Sequence, residues 1–177
     1  MNRIATPKTR LLYALCALCL FALPAAHAQT GLYGGFNAAK VDQPSNKWAY
    51  GGLFGIYSDF AKVPPVRVGA DLRFSAIRLD SNTTLFSTLI GPRVAFHPAA
   101  IPLTPYAEIL IGSGRYSFSN NVGSATKFEY VALGGVDRPL IPHLDWRVVE
   151  FSYSRLATVQ RQRLSMETIT TGVVLRF

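Results

Sequence analysis

The stretch VRVGADLRFSAI, residues 66–77, decides how the rest of the chain is read. Val66, Val68, Ala70, Leu72 and Phe74 fall on one parity; Arg67, Asp71 and Arg73 fall on the other, with Gly69 among them. Side chains of a strand alternate between two faces, so this is a strand with one apolar and one charged face. Two settings suit it. In a soluble sheet the apolar face packs inward and the charges are solvated, whereas in a membrane barrel the apolar face meets lipid and the charges turn inside.

The same pattern recurs on both sides of residues 66–77. Segments at 31–41, 47–57, 66–77, 84–96, 104–118, 127–140, 144–156 and 165–177 are rich in aromatic, β-branched and glycine residues, and turn-forming clusters separate them. The chain is therefore expected to be all-β with eight strands. The connections alternate in character. DQPSNK, DSNTT, SNNVGSAT and ATVQRQRL are polar, whereas SDFAKVPP, HPAAIPLTP and RPLIPHLD carry proline. An even number of strands with this alternation puts the polar loops at one end and both termini at the other, as in an up-and-down barrel.

Strand length favours the membrane setting. A tilted transmembrane strand needs about 9–11 residues, against about 5–6 in an ordinary globular sheet. The segment at 47–57 and its continuation stack Trp48, Tyr50, Phe54, Ile56 and Phe60 on one side. The last segment sets Ile169, Val173, Leu175 and Phe177 against Thr168, Thr170, Gly172 and Arg176. Trp48, Phe60, Phe96, Phe118, Tyr153 and Phe177 lie near segment ends, where interfacial girdles form. Backbone in lipid must satisfy every polar group internally, so the sheet is expected to close, the eighth strand pairing with the first.

The N-terminus reads as an export signal. Arg3, Lys8 and Arg10 precede an unbroken apolar run from Leu11 to Leu23, and small Ala26 and Ala28 occupy the −3 and −1 positions before Gln29. As a helix, that run would span roughly 20 Å of a hydrocarbon core of about 30 Å. The expectation is a cleaved signal at residues 1–28 and a barrel domain at 29–177. Cys16 and Cys19 fall within the signal, so no disulfide or thiol chemistry is expected of the mature domain. Loss of the three signal cations lowers the formal charge from +8 to +5. The remaining charges are dispersed, which gives no support to nucleic-acid binding.

At TTGVVLRF (170–177), and across LIGPRVAF, LTPYAEILIGSGR, LGGVDRPL and HLDWRVVEFSYSR, the sequence resembles the small eight-stranded outer-membrane barrels, similar to the transmembrane domain of OmpA and its relatives. That family ends in an assembly signal of a polar residue, a glycine and two hydrophobic or aromatic positions closing on phenylalanine. Thr170, Gly172, Leu175 and Phe177 match it in order, with leucine at the usually aromatic earlier position. The resemblance implies an outer membrane of Gram-negative type and docking of the last strand by the barrel-assembly machinery. The polar loops are short and leave little area for a protein interface, so the contacts expected are weak ones or those with outer-membrane lipid and lipopolysaccharide. No peptidoglycan-binding segment follows Phe177, so the wall-tethering role of larger relatives is not expected, and a monomer is.

An eight-stranded barrel is just wide enough for its own side chains, so a wide diffusion pore is not expected. By parity Arg67, Asp71, Arg73, Glu108 and Glu150 are interior candidates. Arg or Lys facing lipid at mid-depth would cost roughly 2–4 kcal/mol. If the fifth and sixth strands hinge near residues 121–123, Arg115 and Glu129 lie opposite each other, on the interior or on the outer rim. Pro92 removes a ladder donor, and a bulge is expected beside Gly91; residues 112–114 could hold another. Lys127, Arg161 and Arg163 are rim candidates for phosphate groups.

No constellation in the sequence supports catalysis, a metal or a cofactor. His97 and His143 fall in proline-bearing turns, no G-x-S-x-G positions a nucleophile, and GSGRYS lacks the Lys-Ser/Thr of a phosphate loop. The leading expectation is a non-enzymatic barrel contributing to envelope structure or surface interaction. The alternatives are a barrel enzyme acting on membrane lipids, a soluble lipocalin-like carrier and a narrow pore.

Overall fold

The computed structural model describes residues 29–41, 48–80, 82–118, 124–157 and 164–177. Ala26, Ala28, Arg161 and Arg163 lie outside the described residues. Eight strands follow one another: β1 (Gln29–Val41), β2 (Trp48–Val63), β3 (Val66–Arg78), β4 (Thr83–Phe96), β5 (Thr104–Phe118), β6 (Ser124–Ile141), β7 (Leu144–Leu156) and β8 (Leu164–Arg176). Each is antiparallel to its chain neighbours, and β1 pairs with β8 from Gly31 opposite Arg176 to Val41 opposite Met166, so the sheet closes. Val41 and Trp48, Arg78 and Thr83, Phe118 and Ser124, and Leu156 and Leu164 bound their strands at one end of the barrel, here the loop end. The opposite, turn end carries Gln29, Phe177 and the connections at 64–65, 97–103 and 142–143.

Two proline-bearing connections are much shorter than the sequence suggests. β2 and β6 run to 16 and 18 residues, leaving two-residue turns at Pro64–Pro65 and Pro142–His143. Proline at the first central position fixes φ, and His143 takes a left-handed φ of 70° at the second, as a type II turn requires. The His143 carbonyl accepts from the Arg176 amide at 2.8 Å, tying this turn to the last strand.

The bulge expected at Gly91 is absent. β4 pairs with β3 straight through Ala70 opposite Pro92, and its ladder with β5 resumes in the same register, Ile90 opposite Ile111 and then Arg93 opposite Glu108. The lost proline donor is absorbed as a gap in one ladder. Gly91 lies so close to the Ile109 carbonyl that any Cβ would overlap it. β5 is likewise unbroken through residues 112–114. Register shifts occur instead at Asp59/Ala61, Val136/Asp137, Pro139/Ile141 and Arg147/Glu150.

The Arg115–Glu129 pairing is also corrected. Arg115 stands opposite Thr126, and Glu129 opposite Gly112. With no bulge to reset β5, the parity that buries Tyr106, Glu108 and Leu110 sends Arg115 outward, while Glu129 is buried.

The apolar parity faces outward all round. Phe54 is 59% exposed and Ile109 64%, although both sit mid-strand, whereas Asp71 is 1% and Glu150 0% exposed. This inverts the burial rule of soluble domains, in which buried charge is rare. Trp48, Phe60, Phe96, Tyr153 and Phe177 are exposed near the strand ends.

Candidate functional site

In the turn-end half of the interior, three arginines, five carboxylates and three tyrosines form one connected network. Arg73 makes a bidentate pair with Glu150 at 2.6 and 2.9 Å and reaches Glu108 at 3.2 Å. Its Nε donates to the Tyr33 hydroxyl at 3.0 Å, and Tyr33 donates to the Asp71 carboxylate at 2.7 Å. Arg93 donates to Glu108 and lies within ion-pair range of Asp137 at 3.5 Å and Asp59 at 3.8 Å. Arg147 forks onto Asp137 at 3.1 and 3.4 Å and touches Glu150 at 3.2 Å. The planar guanidinium suits such forks.

The tyrosine rings fill the space between these planes. Arg93 sits 4.1 Å from the ring centres of both Tyr57 and Tyr106, and Arg147 sits 4.2 Å from that of Tyr33 and 4.7 Å from that of Tyr106. Such stacking adds attraction where water is excluded. Tyr106 also donates to Glu150 at 2.7 Å. Asp71, Arg73, Glu108 and Glu150 are thus brought together. Arg67 is half-buried toward the turn end, its Nη1 without a hydrogen-bond partner. Asp145 pairs with Arg176 at 2.7 Å at that same end.

Sequence reasoning did not name Asp59, Arg93, Asp137 or Arg147 as interior residues. Asp59 lies beyond the point where the second segment was expected to end. Arg93 shares the inward parity of Leu85 and Leu89 once no bulge intervenes at Gly91. In β7 the shift between Arg147 and Glu150 lets both face inward although their numbers differ in parity.

The loop-end half is filled differently. Ala39, Val41, Ala49, Ile77, Leu85, Leu156 and Met166 form a buried apolar cluster, joined by Leu79 and Tyr116. Beneath it a cavity of about 30 Å³ is lined by Asn37, Ser75, Ser154, Thr168, Thr170 and Glu129, among others. Glu129 accepts from Ser87, but its Oε2 has no hydrogen-bond partner. A cavity of this size and polarity suits water rather than a solute.

The remaining candidates lie elsewhere. Thr170 faces inward and donates to Asn37 at 2.8 Å across the closing seam. Gly172 stands opposite Gly35, where a Cβ on either glycine would strike the partner backbone. Leu175 and Phe177 face outward. Lys127 is half-buried opposite Gly114. His97 follows β4, its amide bonded to the Pro65 carbonyl at 2.8 Å. Partial burial, reinforced by nearby Arg67, Arg176, Arg93 and Lys62, pushes its imidazole down to about 4. Among the described residues no three His, Cys, Asp or Glu side chains converge as a metal site.

A closed, eight-stranded antiparallel ring with charges inside and an apolar wall outside defines a class, the small transmembrane barrel. Solved structures of that class match. Neisserial surface protein A aligns at a TM-score of 0.62 with 17% identity, covering 84% of this chain and 97% of its own. Ail, the attachment invasion locus protein of Yersinia pestis, aligns at 0.56 with 12% identity, covering 85% and 99%. The N-terminal β-barrel domain of Pseudomonas aeruginosa OprF aligns at 0.52 with 14% identity, covering 84% and 97%. No family model and no curated protein sequence matches. The chain has the fold of the small eight-stranded outer-membrane barrels.

Proposed function

We propose that this chain is an integral outer-membrane β-barrel without enzymatic chemistry, contributing to envelope structure or surface interaction. On this reading residues 1–28 are removed as a signal, leaving the 29–177 barrel. The last strand, with Thr170, Gly172, Leu175 and Phe177, is the segment handed to the assembly machinery. The loop end then faces outward.

The observation that carries the reading is the inverted wall: mid-strand Phe54 and Ile109 exposed, Asp71 and Glu150 sealed inside. Lipid tolerates that surface, and water does not. A soluble carrier would need the opposite arrangement, an apolar cavity within and charge outside. The filled interior argues against a wide pore. His97 and His143 lie at the turn end, away from the loop end where a lipid enzyme of the outer leaflet would work.

The test is fractionation followed by electrophoresis in mild detergent, with and without boiling. Recovery in the outer membrane with heat-dependent mobility is the expected result, and N-terminal sequencing should begin at Gln29. Recovery as a soluble periplasmic protein with no mobility shift would overturn the assignment.

A further inference from the structure

The pairing of charges in the lattice leaves one buried carboxylate over. Glu129 of β6 is 2% exposed, accepts from Ser87, and keeps an Oε2 with no donor. It lines the cavity of about 30 Å³ together with the oxygen-bearing side chains of Asn37, Ser75, Ser154, Thr168 and Thr170. Gly114 holds space open beside the free oxygen, where a Cβ would stand 2.8 Å from Oε2.

Among the described residues no cation pairs with this carboxylate. Arg73 reaches the cavity wall, but each of its nitrogens is bonded to Tyr33, Glu150 or Glu108. The lattice has five carboxylates for three arginines, so it has no positive charge to lend. Lys127 shares the inward parity two residues nearer the loop end, but it is half-buried near the start of β6 and forms no ion pair with Glu129.

An unpaired ion at this depth is costly. A lone charge sealed from water is heavily penalised, and carboxylates at membrane depth find a counter-charge or a proton. Size and polarity alone fit water to the cavity, but water brings no charge. The volume takes one or two water-sized occupants, room for a small dehydrated cation and one water. One carboxylate neutralises one positive charge, and hydroxyl and amide oxygens complete a shell of hard donors; a divalent ion would want further carboxylates.

We propose that Glu129 and the oxygens around it hold a single monovalent cation, sodium by its size, as a structural ion at mid-barrel. The apolar cluster closes the site on the loop side and the lattice closes it on the other, so the ion is taken up as the ring closes and leaves when it opens. In that position it ties β1, β3, β6, β7 and β8 to one point. The inference depends on the filled interior of the barrel and on no partner at the loops.

The test uses the full mature protein refolded into mild detergent at neutral pH. Urea unfolding is followed by the heat-dependent mobility shift in sodium, potassium or N-methylglucamine chloride, at equal ionic strength so that general screening cancels. Relative to N-methylglucamine, sodium is expected to raise the folding constant about fivefold once it is present at roughly four times its dissociation constant, and potassium less. Glu129→Gln should abolish the sodium gain while keeping the mobility shift. Thr168→Val, which removes an oxygen at nearly constant volume, should reduce the gain, and Lys127→Gln should leave it unchanged. Equal midpoints in the three salts, a gain that survives Glu129→Gln, or one present only in Lys127→Gln overturns the proposal. So does an infrared band of a protonated carboxyl in sodium that vanishes in Glu129→Gln, since a proton would then hold the place of the ion. Loss of the mobility shift in wild type would instead fell the membrane reading.

Discussion

Toward the turn end the interior is a lattice of guanidinium, carboxylate and phenol; toward the loop end it is Leu85, Leu156, Ile77 and Met166 around small alanines. Both fill the same cylinder, but they differ in how they fail. In the lattice each arginine holds at least two carboxylates and lies against tyrosine rings, so removing one group strands several buried partners. The apolar cluster has no such obligations, and its neighbours can relax into a gap. Specific geometry is therefore concentrated in one half and tolerance in the other.

The sharpest test is Arg93→Met. Glu108, Asp59 and Asp137 would lose a shared cation, and breaking a buried pair from one side costs about 3–5 kcal/mol. Urea unfolding in detergent micelles, followed by mobility shift, should show that loss; an unmoved midpoint would mean the lattice is not a stabilising unit. Leu85→Ala in the apolar cluster should cost less, about 2–3 kcal/mol, through lost burial and a cavity. A cost equal to that of Arg93→Met would erase the contrast.

Glu129 sits where the two halves meet. Its Oε2 lacks a partner, so Glu129→Gln is expected to shift stability by no more than about 1 kcal/mol, whereas Glu150→Gln, which removes a bidentate arginine partner, should cost clearly more. Similar effects at both positions would show that Glu129 belongs to the lattice.

A pH-dependent effect lies at the turn end. The His97 imidazole is pushed down from 6.5 to about 4, so the unfolded chain takes up its proton first as pH falls. Its contribution is complete above pH 6.5 and fades as pH drops toward 4. His97→Asn should flatten this slope in a urea–pH series, and an unchanged slope would assign it to other groups.

Alternating segments, their length and the two classes of turn were enough to read eight strands and an outward apolar face. The sequence also points Asp71, Arg73, Glu108 and Glu150 to the inward face of their own strands, because β3 and β5 are regular around the first three and β7 is regular from Glu150 onward. Parity fails at bulges. Val148 and Val149 look like any β-branched pair, yet the shift there brings Arg147 and Glu150 to the same face. Conversely, Gly91–Pro92 carries every local mark of a bulge and has none, because the gap is taken up in one ladder. The sequence between β5 and β6 is a stretch of small polar residues that fixes no register by itself, so sequence alone pairs Arg115 with Glu129 where the ladder sets it opposite Thr126.

The seam between β1 and β8 has a consequence for the order of assembly. Inward from these strands come Tyr33, Asn37, Ala39, Val41, Met166, Thr168, Thr170 and Val174, and the sole inward charge there is Arg176 at the extreme end. The charges of the lattice all come from β2 to β7. Contacts between the first and last strands have the greatest sequence separation in the chain, and such contacts form late because they carry the largest closure cost. A neutral seam lets the charged groups neutralise one another within the growing sheet. The ring can then zip shut, or breathe open, without exposing an unpaired ion to hydrocarbon.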